Sequence, residues 1–134
     1  MEKIVLKGRC ANPGKTEGYA LISHEPIDFT FAFGVIYKPC HELSMKIVSS
    51  KVLVFPNGCG TTIGEYILYL MKRFGLAPKA IINNSAYPIT VQGAIISNIP
   101  MVYGLDRDPL EIIETGDLIR VNADEGIVEV TKRK

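Results

Sequence analysis

The sequence predicts a mixed α/β domain, and three observations carry that prediction. Residues 51–83 read strand, glycine-rich turn, helix, strand, which is a βαβ unit with parallel strands and a right-handed crossover. The closing stretch DLIRVNADEGIVEV alternates apolar and polar residues on both sides of Asp124-Glu125-Gly126, the pattern of an antiparallel hairpin. The length, 134 residues, fits one domain spanning 1–134 with a real core.

In chain order, KIVLKGR alternates well enough for a first strand. NPGKTEG is turn chemistry, and GYALIS reads as a second strand. Phe29 to Ile36 is apolar and aromatic, a further strand or a buried loop, and YKPCHELSMK is irregular. KVLVFP is short and nearly continuous in apolar residues, as expected for a strand buried on both faces. The helix after it is the strongest in the chain, with Ile63, Ile67, Leu70, Met71 and Phe74 at three- and four-residue steps along one face. Lys72 and Arg73 fall in its last turn, where the helix dipole favours cations, and Gly75 is the expected stop. KAIIN returns as a strand, ITVQGAIIS reads as a short helix and IPMVYG as a buried strand. DPLEIIETG is a brief helix opened by Asp108-Pro109 and closed by Gly116. The patterns together give roughly seven to nine strands with two or three helices.

Composition narrows the function classes. A net charge of +1 argues against nucleic-acid binding, and the basic tail Lys132-Arg133-Lys134 reads as a solvated end. No apolar run approaches the roughly 20 residues that cross a bilayer. The N-terminus Met1-Glu2-Lys3-Ile4 lacks the apolar region of a signal peptide, so a soluble, cytoplasmic protein is expected. Cys10, Cys40 and Cys59 are odd in number and far apart, which does not suit a disulfide framework. With His24 and His41 as the only histidines, and Cys40-His41 adjacent, no metal site is expected in this chain.

The candidate site is the turn NGCGTTIGE. It is not a P-loop, because no lysine follows the glycines. It is not a dinucleotide fingerprint either, because Gly58, Gly60 and Gly64 are spaced one residue too widely and Asn83-Asn84 end the next strand in place of an acid. Thr62 and Glu65 have the spacing of a capping box. That assignment leaves the Thr61 hydroxyl at the helix mouth beside the amides of Gly60 and Thr61. A helix N-terminus there binds anions and lowers the cost of deprotonating a hydroxyl. Asn84 stands at the carboxyl end of a strand, where open α/β sheets place ligands, and is expected to line the site. Tyr66 and Tyr69 on the long helix read as core edge or subunit interface.

The segments GKTEGYALIS, KVLVFPNGCGTTIGEYILYLMKRFGLAPKAIIN, ITVQGAIISNIPMV and TGDLIRVNADEGIVEV closely resemble the small subunit of the aconitase X family. The resemblance covers most of the chain and is strongest from Lys51 to Val130. It implies the swivelling β/β/α three-layer fold of the aconitase fourth domain. It also implies a heterodimer with a larger subunit whose own cysteines hold a [4Fe-4S] iron–sulfur cluster, with no cofactor on this chain. In that family the cluster iron takes the leaving hydroxyl as a Lewis acid. A hydroxyl from the swivel domain removes the proton from the carbon next to the substrate carboxylate. The family motif G-x-G-S-[ST]-x-G falls on Gly58 to Gly64, which places the base on Thr61 and gives the backbone from Gly60 to Thr62 to the anionic substrate; Asn84 is added from its place at the strand end, not from the motif.

The implied activity is dehydration of a hydroxy acid by a two-subunit hydro-lyase, inactive as this chain alone. The archaeal substrate, (R)-5-phosphomevalonate, going to trans-anhydromevalonate 5-phosphate for isoprenoid synthesis, is the leading assignment. The chain departs from the family pattern at three places. Thr61 stands where serine is usual, and Glu65 where a second serine is usual. The upstream G-G-V-D-P-x-T-G loop is reduced to Phe33-Gly34-Val35-Ile36-Tyr37-Lys38. The alternative class is a non-catalytic or specificity-shifted swivel domain acting as a binding or regulatory partner. A phosphohistidine carrier with the same fold is excluded by the lack of any histidine after His41.

Overall fold

The computed structural model describes residues 2–33, 35–36, 38 and 40–132. Among them are strands β1 (Lys3–Lys7), β2 (Arg9–Asn12), β3 (Lys15–Ile22), β4 (Val52–Phe55), β5 (Ala80–Asn83), β6 (Met101–Tyr103), β7 (Leu118–Asn122) and β8 (Ile127–Thr131). The α-helices are α1 (Thr62–Arg73), α2 (Pro88–Ser97) and α3 (Pro109–Ile112), and Phe29–Phe31 forms a 3-10 turn. The strands are ordered β1-β8-β7-β3-β4-β5-β6-β2. β3, β4, β5 and β6 run parallel, while β2 closes one edge antiparallel and β7, β8 and β1 continue antiparallel beyond the other.

β3 joins the two halves of this sheet. Lys15 to Tyr19 pair with β7, whereas Ala20 to Ile22 pair with β4. Side chains alternate across a strand, and here the alternation divides one sheet between two cores. Leu53, Phe55, Ile81 and Met101 point to the side of α1 and α2, where they meet Leu68, Met71 and Ala94. Val52, Val54, Ala80, Ile82 and Val102 point the other way and meet Leu6, Ile119, Val121, Val128 and Val130. The β1-β8-β7 ribbon therefore covers the face that the helices leave open, which makes three layers, β/β/α. All four residues of β4 are fully buried, as a continuous apolar run between two cores requires.

The α1–α2 contact depends on one small residue. A side chain at Gly93 would meet a Leu68 methyl at 3.1 Å and the Glu65 Cα at 3.5 Å, so glycine lets the helices close. α2 begins with Pro88 at its first turn and ends in a left-handed Asn98, φ 56°.

Several expectations are corrected. β3 starts at Lys15, inside the stretch read as turn, because Lys15, Thr16 and Glu17 pair with Asn122, Val121 and Arg120. The outward face of α1 is more apolar than its helical period suggested. Gly64, Leu68 and Met71 form the buried stripe, while Ile63 is 57% exposed and Phe74 is 68% exposed. Phe74 rests instead against Phe33, with ring centroids 5.9 Å apart. Lys132 is no solvated tail: its ammonium bonds the fully buried Asp117 carboxylate at 2.8 Å and the Ile112 carbonyl at 2.7 Å. Arg133 and Lys134 lie outside the described residues.

Phe55 links the core to the site. It is fully buried and meets Phe29 edge-on at 6.0 Å, directly before the loop that leads to α1. Phe55→Ala is expected to lower stability by about 3–5 kcal/mol, read as a shift in the urea unfolding midpoint.

Candidate active site at the mouth of α1

β4 ends at Phe55, and residues 56–61 cross from the sheet to α1. The crossing is tied down by backbone bonds: Cys59 N–H donates to Ile27 O at 3.1 Å, and Ile27 N–H to Asn57 O at 3.3 Å. Three side chains then enclose the glycines. The Tyr87 hydroxyl donates to Gly60 O at 2.5 Å. Gly58 lies so close to the Thr90 hydroxyl that any Cβ would overlap it. Gly60 has φ +96°, and a Cβ there would stand 2.5 Å from both Asp28 carboxylate oxygens. Glycine is required at both positions, at Gly60 for its conformation as well.

Thr61 follows in extended geometry, φ −110° and ψ 179°, and is the N-cap of α1. Its hydroxyl accepts from Ile63 N–H at 3.4 Å, and its carbonyl from Gly64 N–H at 3.0 Å. This corrects the expected capping box. Thr62 is the first helical residue, and among the described residues its hydroxyl accepts no bond from the Glu65 N–H and the Glu65 carboxylate none from the Thr62 N–H. The extended backbone at Thr61, not the Thr-x-x-Glu spacing, decides where the helix starts. The cap bond is longer than a good N–H···O bond, so the exposed Thr61 hydroxyl is loosely held and its proton is uncommitted. The amides of Gly60, Thr61 and Thr62 have no acceptor among the described residues, and they lie at or just before the N-terminus, the positive end, of a 12-residue helix. The mouth thus places unengaged amides and an exposed hydroxyl side by side.

Asp28 is a feature that sequence reading missed. Its Oδ1 accepts from Thr30 N–H at 2.9 Å, which starts the 3-10 turn and fixes the carboxylate over Gly60. The signal was present in Asp28-Phe29-Thr30, the spacing of an Asx cap. Burial pushes the Cys59 thiol pKa up, Asp28 adds to that rise, and Lys38 opposes it, so Cys59 stays a neutral thiol beside the mouth. Beneath it, Phe29, Cys59, Gly64, Glu65, Leu68, Ile89 and Thr90 line a cavity of about 10 Å³, room for a single water. Thr61 and Thr62 at the mouth itself are exposed.

The Asn84 amide donates to Asp108 Oδ1 at 2.9 Å and its backbone N–H to Pro56 O at 2.9 Å, so it braces the carboxyl end of the sheet and makes no bond to the α1 mouth. Asn83 is fully buried and donates to Phe55 O at 3.0 Å and Ile82 O at 3.1 Å. Of the altered upstream loop, Gly34 and Tyr37 lie outside the described residues.

No three His, Cys, Asp or Glu among the described residues gather where a metal could be held. Cys10 and Cys40 are exposed and Cys59 partly buried, all as free thiols. A cluster ligated by this chain alone does not fit these residues. No helix among them is long and apolar enough to cross a membrane.

Residues 5–130 match the family model for the aconitase X swivel domain. The chain belongs to that family. The phosphomevalonate dehydratase small subunit of Methanosarcina acetivorans is 44% identical, over 100% of this chain and 96% of that protein. Its counterpart from Thermococcus gammatolerans is 41% identical, over 93% of this chain and 96% of that protein. The crystal structure of Thermococcus kodakaraensis aconitase X in its holo-form superposes with a TM-score of 0.90 at 39% identity, covering 96% of this chain and 99% of that one. The aconitase X swivel domain here shares its fold with that solved chain, and the α1 mouth lies within the matched residues.

Proposed function

We propose that this chain is the small subunit of an aconitase X-type hydro-lyase that dehydrates (R)-5-phosphomevalonate, with Thr61 as the hydroxyl that moves the proton. The observation that carries this reading is the exposed, loosely bonded Thr61 hydroxyl beside three unengaged amides, in a chain similar along its whole length to phosphomevalonate dehydratase small subunits. The amides of Gly60, Thr61 and Thr62 bind and orient the substrate carboxylate. The Thr61 oxygen acts as its alkoxide, which the helix field stabilises; it takes the proton from the carbon next to that carboxylate and becomes the neutral hydroxyl, while the C–H electron pair forms the double bond as the neighbouring hydroxyl leaves. Asp28 acts in the opposite sense on that charge, which keeps the oxygen basic. Asn84 supports the site indirectly, through Pro56.

Departure of the substrate hydroxyl belongs to a larger partner subunit, and the iron–sulfur cluster of this reaction is held there. Ile63 and Tyr66, 57% and 59% exposed, stand two and five residues beyond Thr61 on the outward face of α1. The partner closes over them and shuts water out of the mouth. The test is to co-produce this chain with an aconitase X-type large subunit and assay the purified complex. The expected result is appearance of the unsaturated phosphate ester from (R)-5-phosphomevalonate with the complex and with neither subunit alone. Turnover of a different hydroxy acid would reassign the substrate, and an assembled complex with no dehydratase activity would make this a non-catalytic swivel domain.

A further inference from the structure

We infer that Tyr87 is a positioning residue for this reaction, acting through the peptide plane between Gly60 and Thr61. This inference rests on the reading of Thr61 as the base. In a trans peptide the carbonyl and the following N–H point in opposite directions, and no peptide among the described residues is cis. The Gly60 carbonyl is held by the Tyr87 hydroxyl at 2.5 Å. The Thr61 N–H must then point away from Tyr87, and it finds no acceptor among the described residues. One hydrogen bond thus orients the amide that faces substrate and sets the backbone from which the Thr61 hydroxyl projects. Gly60, at φ +96°, has no side chain of its own to hold that plane.

The clamp is rigid at its other end. Tyr87 precedes Pro88, which confines its backbone to the extended region found here, φ −105° and ψ 123°. Its carbonyl accepts from Val91 N–H at 3.0 Å in the first turn of α2. Its ring lies against the loop, 3.2 Å from where a Gly58 Cβ would be. α2 in turn is packed on α1 through Gly93. A hydroxyl carried on so fixed a stem preorganises the mouth from outside the reacting atoms.

The experiment uses the two-subunit complex, with Tyr87→Phe as the variant and Tyr69→Phe as the control. Among the described residues the Tyr69 hydroxyl bonds only Arg73, at 3.4 Å, on the same helix surface. Turnover is measured per assembled complex, with ordinary substrate and with substrate deuterated at the carbon that loses its proton. The expected result is a fall of about tenfold for Tyr87→Phe, with a larger isotope effect than in the unaltered enzyme, and no change for Tyr69→Phe. Loss of folded or assembled protein cannot raise an isotope effect, so a merely structural role is distinguished. Turnover per complex within twofold of the unaltered enzyme, or an isotope effect no larger than in the unaltered enzyme, overturns the inference. If Thr61→Ala leaves turnover intact, the reading of the base has failed; if Thr61→Ala is inactive and Tyr87→Phe is not slowed, only the role of Tyr87 has.

Discussion

Thr61→Ala in the assembled enzyme is expected to lower turnover by about 10²- to 10⁴-fold, the range a positioned proton-transfer group supplies. The folded state should barely change. Thr61 is exposed and its hydroxyl makes a single 3.4 Å cap bond, so its removal costs about 0.5–1 kcal/mol, the low end for an N-cap. Assembly and the unfolding midpoint therefore stay near those of the unaltered protein while dehydration collapses. Thr61→Ser keeps the oxygen and should retain most turnover, since it removes only the methyl that limits χ1. Equal losses for alanine and serine would show that the hydroxyl is not what matters at this position.

Gly60→Ala is expected to damage stability and activity together. At φ +96° an L-residue is strained by about 1–2 kcal/mol, and its Cβ would press on the Asp28 carboxylate at 2.5 Å. The combined effect is a loss of about 2–4 kcal/mol in denaturant unfolding, among the larger single-site effects. Activity falls further, because relief of the overlap moves the carbonyl that Tyr87 holds. Adding Asp28→Ala removes the overlap but not the strain, so the double variant should recover only part of the stability. A Gly60→Ala variant within about 0.5 kcal/mol of the unaltered protein would contradict the left-handed geometry on which the mouth depends.

Much of the fold was legible because its signals are local. The buried run Val52–Phe55, the helix stop at Gly75 and the hairpin about Gly126 each depend on neighbours in sequence, and each stands where the pattern put it. The three-layer arrangement came from resemblance rather than from pattern, since alternation alone does not say which strands cover the second face. The candidate site was half legible. Glycines before a hydroxyl pair located the mouth, but the capping spacing assigned the cap to Thr62 where backbone geometry gives it to Thr61. Asn84 was expected at the ligand because it ends a strand, yet Asp108, 24 residues away, takes its amide. Tyr87 reaches Gly60 across 27 residues of chain, and no spacing rule connects the two. The outward Ile63 and Phe74 misled the helical-period reading because that reading assumes every apolar stripe faces the chain's own core.

The most direct test of the proton-transfer role follows the proton itself. The assembled enzyme, given the unsaturated product in deuterium oxide, should run the reaction in reverse and place deuterium on the carbon next to the carboxylate, seen by NMR. With Thr61→Ala that incorporation should fall to the enzyme-free level while the complex stays assembled. Incorporation by Thr61→Ala at the rate of the unaltered enzyme would show that another group carries the proton and that Thr61 only caps the helix.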